Sequence, residues 1–391
     1  MDKNEYINLY RKEKTINFVG FAISQWHITS IEACVKLLSK QGICLEGFLF
    51  IRDKKTIGME YTIDLTKYDF VSELKNIKKY IISFDNETTG LSNKIKSIFD
   101  TGKYLLFKKN KKRNIYVFCP CMPNYKQIPI IYNSIPGAKI IFVLFNEGTG
   151  SVEYNTFHSQ FILINRSNKN LICKLINLIR CAIRFIINNV ILLILNNDII
   201  NLDLFTMKNK KVVVNKEVIP YYKEVFKDKS NRNNHYSDSC LVVSQSLFSL
   251  YGKYYDIEKS LFEFCSSIIV SNKRKCMIKP HPKEQDLSRL EKYKDCIVDN
   301  QRDTNFEFLI ESSTHKPKCI ISIYSTCLVT ANIFFSLPTI SLAKIVMKEC
   351  DIPEVKKSCN NFINKFKDFA FFPENREELK TLLEGILNEQ K

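Results

Sequence analysis

Short apolar runs closed by turn-forming residues alternate along this chain with stretches whose apolar positions recur at helical spacing. Residues 16–23, 45–51, 80–84, 104–107, 115–118 and 138–145 predict extended segments, and 28–39, 70–79 and 91–99 predict helices among them. A second series follows. Residues 240–243, 275–278 and 318–323 predict strands, whereas 257–271, 307–312, 328–335 and 377–389 predict helices. Alternation of this kind implies open α/β sheets joined by crossover helices. Between the two series, residues 207–238 are rich in Lys, Asn and Asp, most densely over 227–234, and predict a linker. The expected division is a Rossmann-like domain at 1–230 and a second at 231–391.

One long apolar stretch, 171–200, is ambiguous. Lys174, Arg180, Arg184, Asn188, Asn189 and Asn196 interrupt it, which a membrane-spanning helix tolerates poorly. A buried helix is the expectation, and a basic helix lying on a membrane surface is the alternative. The highly charged Met1–Lys14 does not read as a secretory leader.

Composition changes this picture at two points. Lys and Arg outnumber Asp and Glu by 58 to 41, a net charge of +17, so anionic partners are favoured. The 14 cysteines are irregularly spaced, and Cys34, Cys173, Cys181, Cys265 and Cys319 sit in apolar stretches. Cys119 and Cys121 lack a second cluster at zinc spacing, so no metal site is expected. Reduced thiols in the cytoplasm, with peripheral membrane association as an option, are the expected setting.

Three signals at predicted strand ends carry the candidate chemistry. Phe145-Asn146-Glu147-Gly148-Thr149-Gly150-Ser151 puts a carboxylate in a glycine-rich loop, where Glu147 can serve as a general base and Gly148 permits close ligand approach. A plain turn with a solvated Glu147 is the competing reading. Lys279-Pro280-His281-Pro282-Lys283-Glu284 presents an imidazole between two prolines that hold the segment stiff. His281 can act there as a general acid, with Lys279 beside a phosphate. Tyr324-Ser325-Thr326 follows the 318–323 strand, and its hydroxyls can cap a helix, hold an anion, or do both. Ser244 at the end of 240–243 is a weaker signal of the same type. Trp26, in Ser24-Gln25-Trp26-His27, reads either as core or as lining for an acceptor.

The chain carries no Gly-x-x-x-x-Gly-Lys-Ser/Thr loop, no Gly-x-Gly-x-x-Gly and no Asp-x-Asp. What remains, in order and spread, resembles the bacterial GT-B sialyltransferases, especially the polysialyltransferase and lipooligosaccharide sialyltransferase group. That group has an acidic-acidic-Gly motif, a His-Pro motif and a Ser/Thr motif, matched here by Asn146-Glu147-Gly148, His281-Pro282 and Ser325-Thr326. The resemblance implies two Rossmann-like domains facing a cleft, the first on the acceptor side and the second binding the nucleotide sugar. It also implies a CMP-sialic acid donor, metal-independent inversion and no further cofactor. Glu147 would activate an acceptor hydroxyl and His281 would assist departure of CMP. Gly148, Lys279, Pro282, Ser244, Ser325 and Thr326 would form the donor site, with Glu284 at the ribose or base. Asn146 departs from the pattern, because the family usually carries a second carboxylate there. If the base belongs at that position, Glu147 substitutes for it.

The expected acceptor is an anionic or galactose-terminated glycan of a bacterial capsule or lipooligosaccharide, with no nucleic acid partner. Two alternatives stay open: a GT-B transferase using another nucleotide sugar, and an inactive basic protein that binds glycans or nucleic acid.

Overall fold

The structure, a computed structural model, describes residues 16–22, 24–56, 59–61, 77–83, 113–120, 138–145, 170, 172–179, 182–183, 186, 190, 198–208, 211–228, 236–245, 252–281, 284, 287–301 and 304–388. The chain divides into two compact units, Met1–Thr206 with Val214–Tyr222, and Met207–Val213 with Lys223–Lys391.

The first unit opens with β1 (Phe18–Ala22), α1 (Gln25–Lys40), β2 (Gly47–Thr56) and β3 (Met59–Tyr61). Then come β4 (Ile77–Ser83), β5 (Arg113–Cys119), β6 (Ala138–Leu144) and β7 (Ile199–Asn201). β1 lies between β2 and β5, β4 extends the sheet beyond β2, and β6 and β7 extend it beyond β5, all parallel. Only β3 runs antiparallel, against the end of β2. The direction of winding therefore reverses between β1 and β5. α1 starts there, capped by Ser24, and buries Ile28, Ile31, Cys34, Val35 and Leu38 at helical spacing.

Gly47 is required where β2 meets β1. A Cβ at this position would stand 2.0 Å from the Phe18 carbonyl oxygen. That atom belongs to the backbone of the fully buried Phe18, within a paired strand, and cannot turn aside. Gly47→Ala is expected to cost on the order of 1–3 kcal/mol, the range for overpacking. A lowered urea midpoint with an unchanged denaturant slope would show it; an unchanged midpoint would refute the close contact.

Between the two series, β8 (Phe205–Lys208) and β9 (Lys211–Val214) form a two-stranded sheet, and α2 (Ile219–Asp228) follows. The 207–238 segment is thus structured over most of its described length. Residues 229–235, which hold most of its densest polar run, lie outside the described residues.

The second unit comprises β10 (Ser239–Val243), α3 (Gly252–Ser271), β11 (Lys275–Lys279), α4 (Ser288–Glu291), β12 (Cys296–Val298), α5 (Phe306–Ser312), β13 (Ile320–Ser322) and α6 (Thr326–Phe335). β14 (Thr339–Ser341), α7 (Ala343–Glu349), α8 (Pro353–Phe366) and α9 (Arg376–Asn388) complete it. Its five strands are parallel in the order β12-β11-β10-β13-β14. This is a doubly wound sheet whose winding reverses between β10 and β13. Leu261, Phe262, Cys265 and Ile269 of α3 are fully buried in one core with Cys240, Ile278 and Ile321 of the strands. Each large aliphatic or aromatic side chain buried this way contributes roughly 1.5–3 kcal/mol.

The structure corrects three expectations. Residues 77–79, read as the end of a helix, begin β4; pairing with Gly47–Leu49 of β2 overrides the helical preference of two lysines. The remainder of that helix, at 70–76, lies outside the described residues, as do 91–99 and 104–107. The 171–200 stretch is not a uniformly buried helix. Residues 172–179, 182, 183, 186 and 190 are helical, and Ile172, Leu175, Ile176, Ile179, Ile183, Ile186 and Val190 are exposed. Residues 199 and 200 belong to β7. Finally, Cys173 is exposed, whereas Cys34, Cys265 and Cys319 are buried as expected. All twelve described cysteines are free thiols. No helix among the described residues is long and apolar enough to cross a membrane.

Candidate functional site

In the second unit, β10 pairs with β11 on one side and β13 on the other, so their carboxyl ends emerge side by side. Strands sit about 4.8 Å apart, which puts the chain leaving β11 roughly 10 Å from the chain leaving β13. Ser244, His281 and Ser325 all follow these ends, around the point where the winding reverses. Open α/β sheets collect ligands at such a point.

His281 is held by its backbone from both sides. Its N–H donates to the Ser244 hydroxyl at 3.0 Å, and its carbonyl accepts from the Glu284 N–H at 2.8 Å. Ser244 is itself fully buried and donates its N–H to the Lys279 carbonyl at 3.1 Å. The imidazole therefore stands on a fixed support, while the residue remains partly exposed. Pro282 lies outside the described residues.

The support continues inward. The Glu284 carboxylate, 8% exposed, pairs with Arg289 Nη2. Arg289 Nη1 reaches Glu258 Oε2 at 3.2 Å and donates to the Tyr293 hydroxyl at 2.6 Å. Its guanidinium lies over the rings of Tyr255 and Tyr293. Glu258 closes the circuit, because its Oε1 accepts from the Gln245 N–H at 3.1 Å, next to Ser244. A closed ring results: Ser244, His281, Glu284, Arg289, Glu258 and Gln245. Full burial pushes the Glu258 carboxyl up to about 7, against the opposing pull of Arg289 and the Gln245 N–H.

Lys279 does not face solvent. It is 2% exposed, its ammonium donates to the Gln301 carbonyl at 2.9 Å, and its charge is felt at Glu307 and Cys327. Glu307 is buried and accepts from the Thr330 hydroxyl at 2.6 Å, which ties α5 to α6. Burial raises the Glu307 carboxyl, with Thr330 and Lys279 opposing.

Ser325 is the N-cap of α6: its hydroxyl accepts from the Cys327 N–H at 3.2 Å. Thr326 opens the helix, and both residues are half-buried. The first-turn amides of α6 and these two hydroxyls thus sit at the strand-order reversal, where an anion is favoured.

In the first unit, Asn146, Glu147 and Gly148 lie outside the described residues. The chain is described as far as β6 and the buried Phe145, whose ring meets the buried His27 edge-on at 5.7 Å. Trp26 is half-buried and stacks on Tyr222 with ring centroids 5.5 Å apart.

Reading the sequence passed over Glu258, Arg289, Glu307 and Thr330. One signal was present: Glu258 falls at helical spacing with Leu261, Phe262 and Cys265, so an acid occupies the buried face of α3. Among the described residues, no group of three His, Cys, Asp or Glu side chains is placed to hold a metal ion.

Comparison with known structures gives long but distant alignments. An α/β-galactoside α-2,3-sialyltransferase from Photobacterium phosphoreum aligns over 92% of this chain and 99% of its own, at 13% identity and a TM-score of 0.39. MurG from Acinetobacter baumannii aligns over 96% and 92%, at 11% identity and a TM-score of 0.40. A UDP-N-acetylglucosamine 2-epimerase from Rickettsia bellii aligns over 96% of both chains, at 10% identity and a TM-score of 0.36. None of the curated proteins compared with the chain matches it. The model of the alpha-2,8-polysialyltransferase family matches residues 21–344, a stretch that includes Glu147, His281, Ser325 and Thr326. The chain therefore belongs to the alpha-2,8-polysialyltransferase family and is a sialyltransferase, a glycosyltransferase with two parallel-sheet α/β units.

Proposed function

We propose that this sialyltransferase moves sialic acid from CMP-sialic acid to a hydroxyl of a bacterial capsule or lipooligosaccharide glycan, with inversion and without a metal. The first unit would bind the acceptor and the second the nucleotide sugar. Glu147 takes the proton of the acceptor hydroxyl as its oxygen attacks the anomeric carbon. The bond from that carbon to the phosphate oxygen breaks, and His281 gives a proton to the departing oxygen. Ser325, Thr326 and the first-turn amides of α6 hold the phosphate, and Gly148 lets substrate approach the Glu147 loop.

The observation that carries this reading is that the clamped His281 and the capped start of α6 both follow strands flanking the strand-order reversal of a sheet in a polysialyltransferase-family chain. A cationic imidazole and a helix start are both suited to a phosphate leaving group. Lys279 supports the site from beneath, since its ammonium is engaged with Gln301. Ser244 and Glu284, whose polar groups hold the His281 backbone, are assigned to positioning that residue. The chain has no Asp-x-Asp to hold a divalent ion against a diphosphate, which favours a monophosphate donor. Its net charge of +17 would gather anionic glycan at an anionic membrane surface.

A donor comparison tests the proposal. CMP release from CMP-sialic acid, with sialylated and galactose-terminated acceptors, is expected to proceed equally with and without EDTA. UDP-sugars are expected to give no turnover. Turnover of a UDP-sugar in preference to CMP-sialic acid would replace the donor assignment, and loss of activity in EDTA would replace the metal-free one.

A further inference from the structure

We propose that the exposed apolar stripe between residues 172 and 190 is a docking surface for an anionic lipid bilayer. The described residues show eleven large hydrophobic side chains exposed, and seven of them fall in this one segment. They recur three or four residues apart, from Ile172 (69% exposed) through Ile183 (52%) to Val190 (49%). That spacing sets them along a single helical face. A cluster of large apolar side chains left in water marks an interaction site.

Charge selects the occupant. From Tyr154 to Asn197 the sequence contains no Asp or Glu, while Arg166, Lys169, Lys174, Arg180 and Arg184 all fall within that span. A second copy of this chain would bring a segment with the same five cations and no acid, on a chain that already carries +17. An anionic glycan would satisfy the cations but offers nothing to a row of Ile, Leu and Val. Anionic lipid satisfies both, with headgroups for the cations and acyl chains for the stripe. The cations and asparagines also explain why such a helix lies on a bilayer and does not cross it.

This proposal deepens the membrane-side setting proposed above. Its readout is binding alone, so failure of transfer and failure of docking are separately visible. The full chain is floated with vesicles of phosphatidylglycerol or of phosphatidylcholine at 0.15 and 0.5 M salt, conditions that differ in screening length by roughly twofold. Wild type is expected to float with phosphatidylglycerol, less so at high salt, and little with phosphatidylcholine. The double variant Ile176→Asp/Ile183→Asp is expected to bind at least about tenfold more weakly. Val270→Asp, at an exposed apolar position elsewhere, is expected to bind as wild type. Hydrogen exchange on the wild-type chain gives a second readout: amides of 172–190 should gain protection on phosphatidylglycerol vesicles. Equal binding to both lipids, undiminished binding by the double variant, or unchanged exchange at 172–190 would each overturn the proposal. So would a wild-type dimer that the double variant dissolves without any lipid binding, which would make the occupant a second copy.

Discussion

His281→Ala and Glu147→Gln are each expected to lower CMP release by at least about 10²-fold, the lower end for loss of a proton-transfer group. The support under His281 makes its substitution clean. Ser244 and Glu284 hold its backbone N–H and carbonyl, so removing the imidazole leaves the loop's bonds in place. Any loss then reports the side chain. The pH dependence separates the two roles. An acid must be protonated and a base deprotonated, so activity should fall at high pH through His281 and at low pH through Glu147. His281→Ala should erase the alkaline limb, and Glu147→Gln the acidic one. Asn146→Asp then asks where the base belongs. If the first position of the motif can serve, Asn146→Asp should restore part of the activity of Glu147→Gln. Turnover by both single variants at the wild-type rate would remove these residues from the chemistry.

The sequence made the second unit largely legible because its signals are strong and redundant. β10, β11 and β13 contain the apolar runs 240–243, 276–278 and 320–321, each followed by a polar residue at or just beyond the end of the strand. Ser325 is a helix-starting residue at the start of a helix. What escaped notice was either short or dependent on pairing. β7, β12 and β14 have three residues each and, unlike the equally short β13, none lies within a longer, mostly apolar run such as 319–323. β4 begins with Ile-Lys-Lys, and only its partner β2 makes those residues extended. At 172–190 the helical periodicity was readable, but periodicity does not say whether core or solvent meets the apolar face. The ring behind His281 was hidden for a different reason. Arg289 and Glu258 are 31 positions apart, and only the fold brings them together.

Arg289→Met is expected to give the largest loss of stability, about 3–5 kcal/mol at alkaline pH, as when one partner is removed from a buried ion pair. Arg289 is the only charge-compensating residue that the ring supplies to Glu258 and Glu284 together. Methionine fills a similar volume but leaves two low-solvation carboxyls. The sign of the pH dependence follows from Glu258. Its carboxyl is held at about 7 in the folded chain, above its ordinary 4.5, so folding takes up a proton between these values. Stability from this group is present at low pH and is lost as pH rises from about 4.5 to about 7, by up to roughly 3 kcal/mol. Removing the Arg289 cation raises the carboxyl further, so the variant's penalty should shrink at pH 5 and grow at pH 8. Glu258→Gln cannot titrate, and should abolish this part of the pH dependence. The double variant Glu258→Gln/Arg289→Met should recover part of the Arg289→Met loss, because one of the stranded carboxyls is then gone. Urea midpoints of the four proteins at the two pH values measure this directly. In the same variants, kcat should fall by up to about 10²-fold, the effect of a misplacement near 1 Å at the reacting group, while the KM for CMP-sialic acid changes little. Additive midpoints with unaltered kcat would mean that the ring holds the fold but does not aim His281.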